Sequence, residues 1–380
     1  MKIQILQENL IKALNTASRS ISTKAQLPVL ANILISSDNN QLKISATNLE
    51  MGVNLWLGAK VEGEGSVTLP AKVFQEYIAS LPPGKIDLEI KENTVELSSG
   101  SYTASFNGIS AKEFPLLPLP EKKIFTFPAK VLTEVIAQVA FASATDEGRP
   151  ILTGVYIKKE GQYLSFAATD GYRLSVKKIA GEKPKEKEEK KEEEETKNLV
   201  IPARTLLEVS RIIADQGNSE DTVVEMSLTK DNNQAIFSVA GTELSTRLLE
   251  GEFPDYEKII PGQSDSEVFL DKETFNKAIK TASIFARDSA NIVRLNFKES
   301  KLTVSANSPQ VGENKSEMEV KINNGGGEIA FNFRFLLDFL NSIESEEIIF
   351  GMTGPLSPGS FKIKDDPSFL HVIMPVRLQS

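Results

Sequence analysis

The chain has 380 residues, with 43 Lys and Arg against 52 Asp and Glu, no cysteine and one histidine. The missing cysteine excludes disulfides, thiolate metal sites, iron–sulfur clusters and cysteine nucleophiles, and His371 alone cannot build a histidine-rich metal centre. A formal net charge of −9 argues against a protein that grips nucleic acid over its whole surface.

Residues 1–8 lack the basic start and apolar run of a signal peptide, and no stretch approaches the roughly 20 apolar residues of a membrane span, so a cytoplasmic protein is expected. Ile5, Leu10 and Leu14 open a helical spacing over 7–22. Strand-like alternation follows over 29–36, 41–46 and 53–61, the second run ending in Ile44-Ser45-Ala46-Thr47-Asn48. Pro70-Ala71-Lys72-Val73-Phe74 begins an amphipathic helix over 70–81. Strands over 86–90, 94–98 and 101–107 then lead to Phe114-Pro115.

The plan then repeats. Phe127, Leu132 and Ile136 open a helix over 128–143, with Pro128 suited to a first helical turn. Phe166-Ala167-Ala168-Thr169-Asp170 ends a strand over 163–168, Pro202-Ala203-Arg204 opens a helix over 202–213, and Phe253-Pro254 closes the copy. In the third copy Leu270, Phe275 and Ile279 open a helix over 271–287 capped by Asp271. Val304-Ser305-Ala306-Asn307-Ser308 ends a strand over 301–306, Asn332-Phe333-Arg334 opens a helix over 331–343, and Met374-Pro375 closes it. From first helix to alanine marker the steps are 41, 41 and 36 residues, then 24, 34 and 26 to the second helix, then 45, 52 and 43 to the X-Pro marker. Four ordered markers at similar intervals imply three repeated domains, 1–120, 121–255 and 256–380, each with two helices and about eight short strands. That balance predicts an α+β fold with mostly antiparallel sheet and excludes Rossmann and TIM-barrel plans. The longer middle copy holds an insertion, 182–197, of six Lys and eight Glu broken only by Pro184 and Thr196, which reads as a solvated loop or fraying helix.

No P-loop, GxGxxG, HExxH or GxSxG is present. Gly325-Gly326-Gly327 lacks the Lys-Ser/Thr ending of a phosphate loop and reads as a turn between strands. His371 in the apolar run 369–374 reads as an ordinary strand residue, and Asp365-Asp366 before Pro367 as turn chemistry. No catalytic residue, metal or cofactor is assigned. Thr169-Asp170-Gly171-Tyr172-Arg173-Leu174 admits two readings: an Asp-Gly hairpin turn, or a turn that exposes Tyr172 and Arg173 for binding. The six expected helices carry 11 basic and 7 acidic residues, +4 in total, which leaves −13 for the remainder. Such segregation suggests helices gathered on a face that meets a polyanion, although Lys and Arg are also common solvent-facing helix residues.

The three two-helix repeats, the segment 169–174, Phe253-Pro254-Asp255-Tyr256 and the final Met374-Pro375-Val376-Arg377-Leu378 together resemble the bacterial DNA polymerase III beta subunit family, the sliding clamps. Leu27-Pro28-Val29-Leu30 and Ala46-Thr47-Asn48-Leu49-Glu50 extend the resemblance over essentially the whole chain. It implies a head-to-tail homodimer whose six domains set twelve helices around a central hole, with continuous sheet outside. It also implies a non-catalytic processivity subunit that encircles duplex DNA and binds the DNA polymerase III alpha subunit, the clamp loader delta subunit and repair proteins through short linear peptides.

On that resemblance, Lys12, Arg19, Lys24, Lys72, Arg149, Arg204, Arg211, Lys277 and Arg334 include the DNA contacts. The peptide cleft between the second and third domains takes Leu152, Thr169, Gly171, Tyr172, Arg173, Leu174, Pro254, Ile259, Ser360, Val372, Met374, Pro375, Val376, Arg377 and Leu378. Arg173 and Arg377 would fix peptide carbonyls or a C-terminal end. Tyr102 and Phe106 would meet Ile284 and Phe285 across the dimer. Tyr172 stands where many relatives carry His, Gln379 and Ser380 extend past the usual end, and the 182–197 insertion has no counterpart. A carboxylate-dependent α+β hydrolase and a monomeric peptide-binding adaptor are the competing readings.

Overall fold

The computed structural model describes residues 1–22, 27–146, 148–181, 198–217 and 221–377. The 182–197 insertion, Lys24 and Leu378 lie outside the described residues. Six α-helices are described: α1 (Gln7–Ser18), α2 (Ala71–Ser80), α3 (Ala129–Val139), α4 (Ala203–Asp215), α5 (Lys272–Ala286) and α6 (Phe333–Ser342). Each sits inside its expected span or within two residues of it. Local signals explain where they start. Asp271 caps α5 by accepting from the Thr274 amide at 2.8 Å, and Asn332 caps α6 by accepting from the Arg334 amide at 3.0 Å. Pro128 ends the strand Lys122–Pro128 rather than entering α3, so its fixed φ serves the strand-to-helix corner. The expected 128–143 helix tightens into a 3-10 turn at Ala140–Ala142, and the expected 7–22 helix stops at Ser18, where Arg19 and Ser20 turn back on Thr16 and Ala17.

All strand pairs among the described residues are antiparallel, as the alternating patterns predict. The expected strand over 53–61 is two elements. Met51–Leu57 and Lys60–Glu62 join different sheets, because Gly58-Ala59 interrupts the run.

The chain forms two compact units, 1–132 with 208–248, and 133–207 with 249–380. The division runs through the middle repeat because a long sheet in each unit crosses a repeat boundary. In the first unit, an eight-stranded sheet joins the first repeat to the second where Met51–Leu57 pairs with Thr242–Arg247. A five-stranded sheet ends at the edge strand Tyr102–Asn107. In the second unit, a nine-stranded sheet joins the second repeat to the third where Arg173–Ala180 pairs with Asp366–Ile373. A four-stranded sheet there ends at the edge strand Gly312–Glu319.

The third repeat closes around Phe275, Phe297, Phe331, Phe339, Phe350, Phe361 and Phe369, all buried. His371 joins this pile. Its ring stacks on Phe339 at 5.2 Å and 7°, Nδ1 shares a 2.7 Å hydrogen bond with Ser175 Oγ, and Nε2 has no partner. Burial, aided by the Arg173 charge, pushes its pKa well below the ordinary value, so the ring is neutral in the folded chain. The expected strand histidine is therefore a packing residue. Its folded pKa lies below its unfolded value near 6.5, so the unfolded chain takes up the extra proton. This contribution to stability is complete above about pH 6.5 and falls as the pH drops below that value. Melting temperature should decline between neutral pH and pH 5, and His371→Phe should flatten that part of the profile.

Candidate functional site

Most residues expected at the peptide cleft stand on the hairpin of Tyr163–Thr169 and Arg173–Ala180 and on the C-terminal strand beside it. The turn is held by side chains. Asp170 Oδ1 accepts from the Tyr172 and Arg173 amides at 2.8 and 3.0 Å, and the Thr169 hydroxyl donates to the Arg173 carbonyl at 2.6 Å. Gly171 adopts φ +92°, and a Cβ there would stand 3.1 Å from the Arg149 guanidinium, so both backbone conformation and space call for glycine.

Strand pairing sets Leu174 opposite Val372 and Arg173 opposite Ile373, and the Met374 amide continues the ladder by donating to the Tyr172 carbonyl at 2.8 Å. On one face of this sheet Ala167, Leu174, Val176 and Val372 pack with Tyr256. Phe253 stacks on Tyr156 at 4.9 Å and 3° beside that cluster. The 3-10 turn Tyr256–Ile259 is thereby anchored, and burial pushes the Tyr256 hydroxyl up to about 12. Over this floor Tyr172, Ile259 and Met374 remain 64%, 37% and 39% exposed. Pro254 and Arg377 are exposed, Pro375 and Val376 half-buried, and Leu152 and Ser360 buried. Exposed apolar side chains around a continuous apolar floor can take peptide side chains, with unbranched Met adapting to them.

Arg173 differs from expectation. Its side chain turns to the opposite face from Leu174, is 10% exposed, and is held by Asp170, Asp338 and the Phe141 carbonyl. Four residues on, on the same face of the strand, Lys177 is likewise buried and pairs with Glu134 at 3.0 Å and with Asp366. The sequence hid both, because alternation reads polar positions as solvent-facing when a second layer covers them.

Among the basic residues, Lys12, Lys72, Arg204 and Arg334 are exposed. Arg19 is half-buried and held by Glu208 and Asp215, so its guanidinium is committed within the first unit. Arg211 and Lys277 pair along their own helices with Glu208 at 3.3 Å and Glu273 at 2.5 Å. Arg149 donates to the Asp170 carbonyl at 3.3 Å. Lys72, Arg204 and Arg334 are each the second residue of a helix, and so is Lys130 of α3, which the sequence reading missed. The signal was the repeat phase itself: Ala71-Lys72, Ala129-Lys130, Ala203-Arg204 and Phe333-Arg334. A cation is unfavourable at a helix N-terminus by about 0.3–1 kcal/mol, yet dipole and cation together attract an anion such as phosphate.

In the first unit a depression of about 740 Å³ on the five-stranded sheet is lined by Lys2, Lys60, Glu62, Asp87, Glu89 and Glu96. Lys2 pairs with Glu89, Lys60 with Glu62 and Lys91 with Glu96, Gln4 donates to Asp87, and Lys60 holds the Glu62 carboxyl below its usual range. Burial raises the pKa of Glu243. A hydrogen bond with Asn54 and the Lys43 charge oppose that rise, and the Asp38 charge adds to it.

Models of three DNA polymerase III beta subunit domains match the chain: N-terminal at residues 1–118, central at 126–255 and C-terminal at 257–377. The beta sliding clamp of Synechocystis sp. is 32% identical over the full length of both chains. The sliding clamp of Bacillus subtilis superposes with TM-score 0.91 at 28% identity over the whole of both chains. The Pseudomonas aeruginosa clamp bound to griselimycin superposes with TM-score 0.90 at 26% identity, again over both chains entire.

Removing Arg173 leaves Asp170 and Asp338 facing one another without their cation. Arg173→Met should therefore cost about 2–3 kcal/mol by urea denaturation, whereas the half-exposed Met374→Ala should cost about 0.5 kcal/mol.

Proposed function

Because the chain belongs to the DNA polymerase III beta subunit family, we propose that it is a non-catalytic sliding clamp acting in the cytoplasm. Two copies close head to tail around duplex DNA without reading its sequence. The ring confers processivity in chromosomal replication by tethering the polymerase alpha subunit, the clamp loader delta subunit and repair proteins. They dock by short peptides in the cleft formed by 169–174, 254–259 and 372–378. The three clamp domains are 1–120, 121–255 and 256–380.

The observation that carries this reading is the pair of strand edges. Met51–Leu57 and Arg173–Ala180, each following an alanine marker, pair with Thr242–Arg247 and Asp366–Ile373, the last strands of the following repeats. By the same order, Gly312–Glu319 is the third repeat's post-marker strand and Tyr102–Asn107 the first repeat's last strand, and both are sheet edges among the described residues. Pairing them between two copies repeats the same joint a third time in each direction and covers both of these edges. Phe106 stacks edge-on against Phe74 and Tyr77, while α5, with Ile284 57% exposed and Phe285 half-buried, packs on Gly312–Glu319. Those residues would line the dimer contact.

DNA contacts are assigned to Lys72, Lys130, Arg204 and Arg334 with Lys12, to which Lys24 and Arg149 are added from the family pattern. Phosphate contact by these residues positions DNA without specifying a sequence. A carboxylate hydrolase is not favoured, because the family models and relatives that match the whole chain are clamp subunits.

Sedimentation should show a dimer. That dimer, once loaded, should stay on nicked circular DNA and be lost when the circle is linearised. A monomer, or equal retention on both forms, contradicts the ring. Reversing Lys72, Lys130, Arg204 and Arg334 together should abolish retention without altering the sedimentation coefficient. A labelled polymerase-tail peptide should bind Met374→Ala roughly tenfold more weakly than the parent chain.

A further inference from the structure

An acid at the sixth position of the second helix makes an ion pair at two places in this chain. In α4 it is Glu208, buried and paired with Arg19, and in α6 it is Asp338, paired with Arg173. Each cation belongs to the preceding repeat and sits at the C-terminal end of that repeat's first helix, where the helix dipole favours positive charge. Arg19 is the residue that ends α1, and Arg173 donates at 2.8 Å to the carbonyl of Phe141, two residues past α3. Phe335, the third residue of α6, covers the Arg173 guanidinium at 4.7 Å.

The first repeat carries the same acid and the third repeat the same cation. The sixth residue of α2 is Glu76, and the residue that ends α5 is Arg287. Both are exposed, and among the described residues neither has an ion-pair partner. Val73 is the third residue of α2, as Phe335 is of α6, and it is 58% exposed. On α5, Ile284 is likewise exposed close to Arg287. We propose that Glu76 pairs with the partner subunit's Arg287, and that this pair fixes the direction in which two copies close. The proposal rests on the head-to-tail ring above. Such a contact brings a first repeat to a third repeat at both joints, so each acid meets a cation. A contact between two first repeats would oppose two Glu76 carboxylates, and one between two third repeats would oppose two Arg287 guanidinium groups. Strand pairing supplies the area of the joint, and the ion pair supplies its polarity.

The test is sedimentation equilibrium of the full chain at low salt. Both positions are exposed in the single chain, so Glu76→Arg and Arg287→Glu should keep the parent's circular dichroism spectrum. Either reversal sets like charges together at both joints, and each should weaken the dimer by about tenfold or more. Mixing the two variants in equal amounts removes the conflict. Each joint of a mixed ring then sets an acid against a base, one as in the parent and the other reversed. The mixture should dimerise within about threefold of the parent affinity, and the gap between mixture and separate variants should narrow in high salt. Lys72, one turn before Glu76, and Asp288, beside Arg287, are unchanged in every arm, so their charges do not affect the comparison. The neutral changes Glu76→Gln and Arg287→Gln should together weaken the dimer no more than either alone. A mixture that dimerises no better than its components, or neutral changes whose effects add, would overturn the pair and leave the ring standing. A parent chain that stays monomeric would overturn the ring and the pair with it.

Discussion

The main-chain ladder between Arg173–Ala180 and Asp366–Ile373 is the constraint on which the candidate site depends. It places the hairpin turn beside the C-terminal strand, so that Leu174 and Val372 share one apolar floor. It also fixes what lies on the other face. Arg173, Ser175 and Lys177 alternate along the strand and meet, in turn, Asp338, His371, and Glu134 with Asp366. A slip of one residue would send these polar side chains into the floor and the apolar ones against the acids. Buried ion pairs contribute little net stability because desolvation offsets their attraction. Here they penalise every register but one.

The ladder between Met51–Leu57 and Thr242–Arg247 is the same joint one repeat earlier. Its recurrence explains why the compact units do not coincide with the repeats: a sheet that runs through a repeat boundary binds neighbouring halves more closely than the two halves of one repeat. A chain organised this way leaves Tyr102–Asn107 of the first repeat and Gly312–Glu319 of the third at sheet edges. Exposed edges are a liability for a lone chain, and pairing them removes it.

Charge follows the same division of labour. The acidic excess behind the net −9 lies outside the helices, which carry nine Lys and Arg against seven Asp and Glu. The structure narrows the useful set further. Arg19 is held by Glu208 and Asp215, whereas Lys72, Lys130, Arg204 and Arg334 occupy one helical position in four helices, where the helix dipole and the cation act on an anion together. Position in the repeat, more than a count of lysines, picks out these four.

Local chemistry made much of this legible. Apolar spacing located all six described helices, Asp271 and Asn332 capped theirs, and the alanine and X-Pro markers set the repeat. The Asp-Gly turn followed from residues two or three apart. The absence of thiol chemistry and of a histidine metal centre was fixed by composition. What only the tertiary structure decided was which polar residues are committed. Arg173 finds Asp338 across 165 residues, and Ser175 finds His371 across 196. Partners so distant leave no trace in local periodicity, because a strand position reads as exposed until a second layer is known to cover it. For the same reason the sequence offered Arg173 as a free binding group and passed over Lys177, and only the folded chain shows both cations already paired.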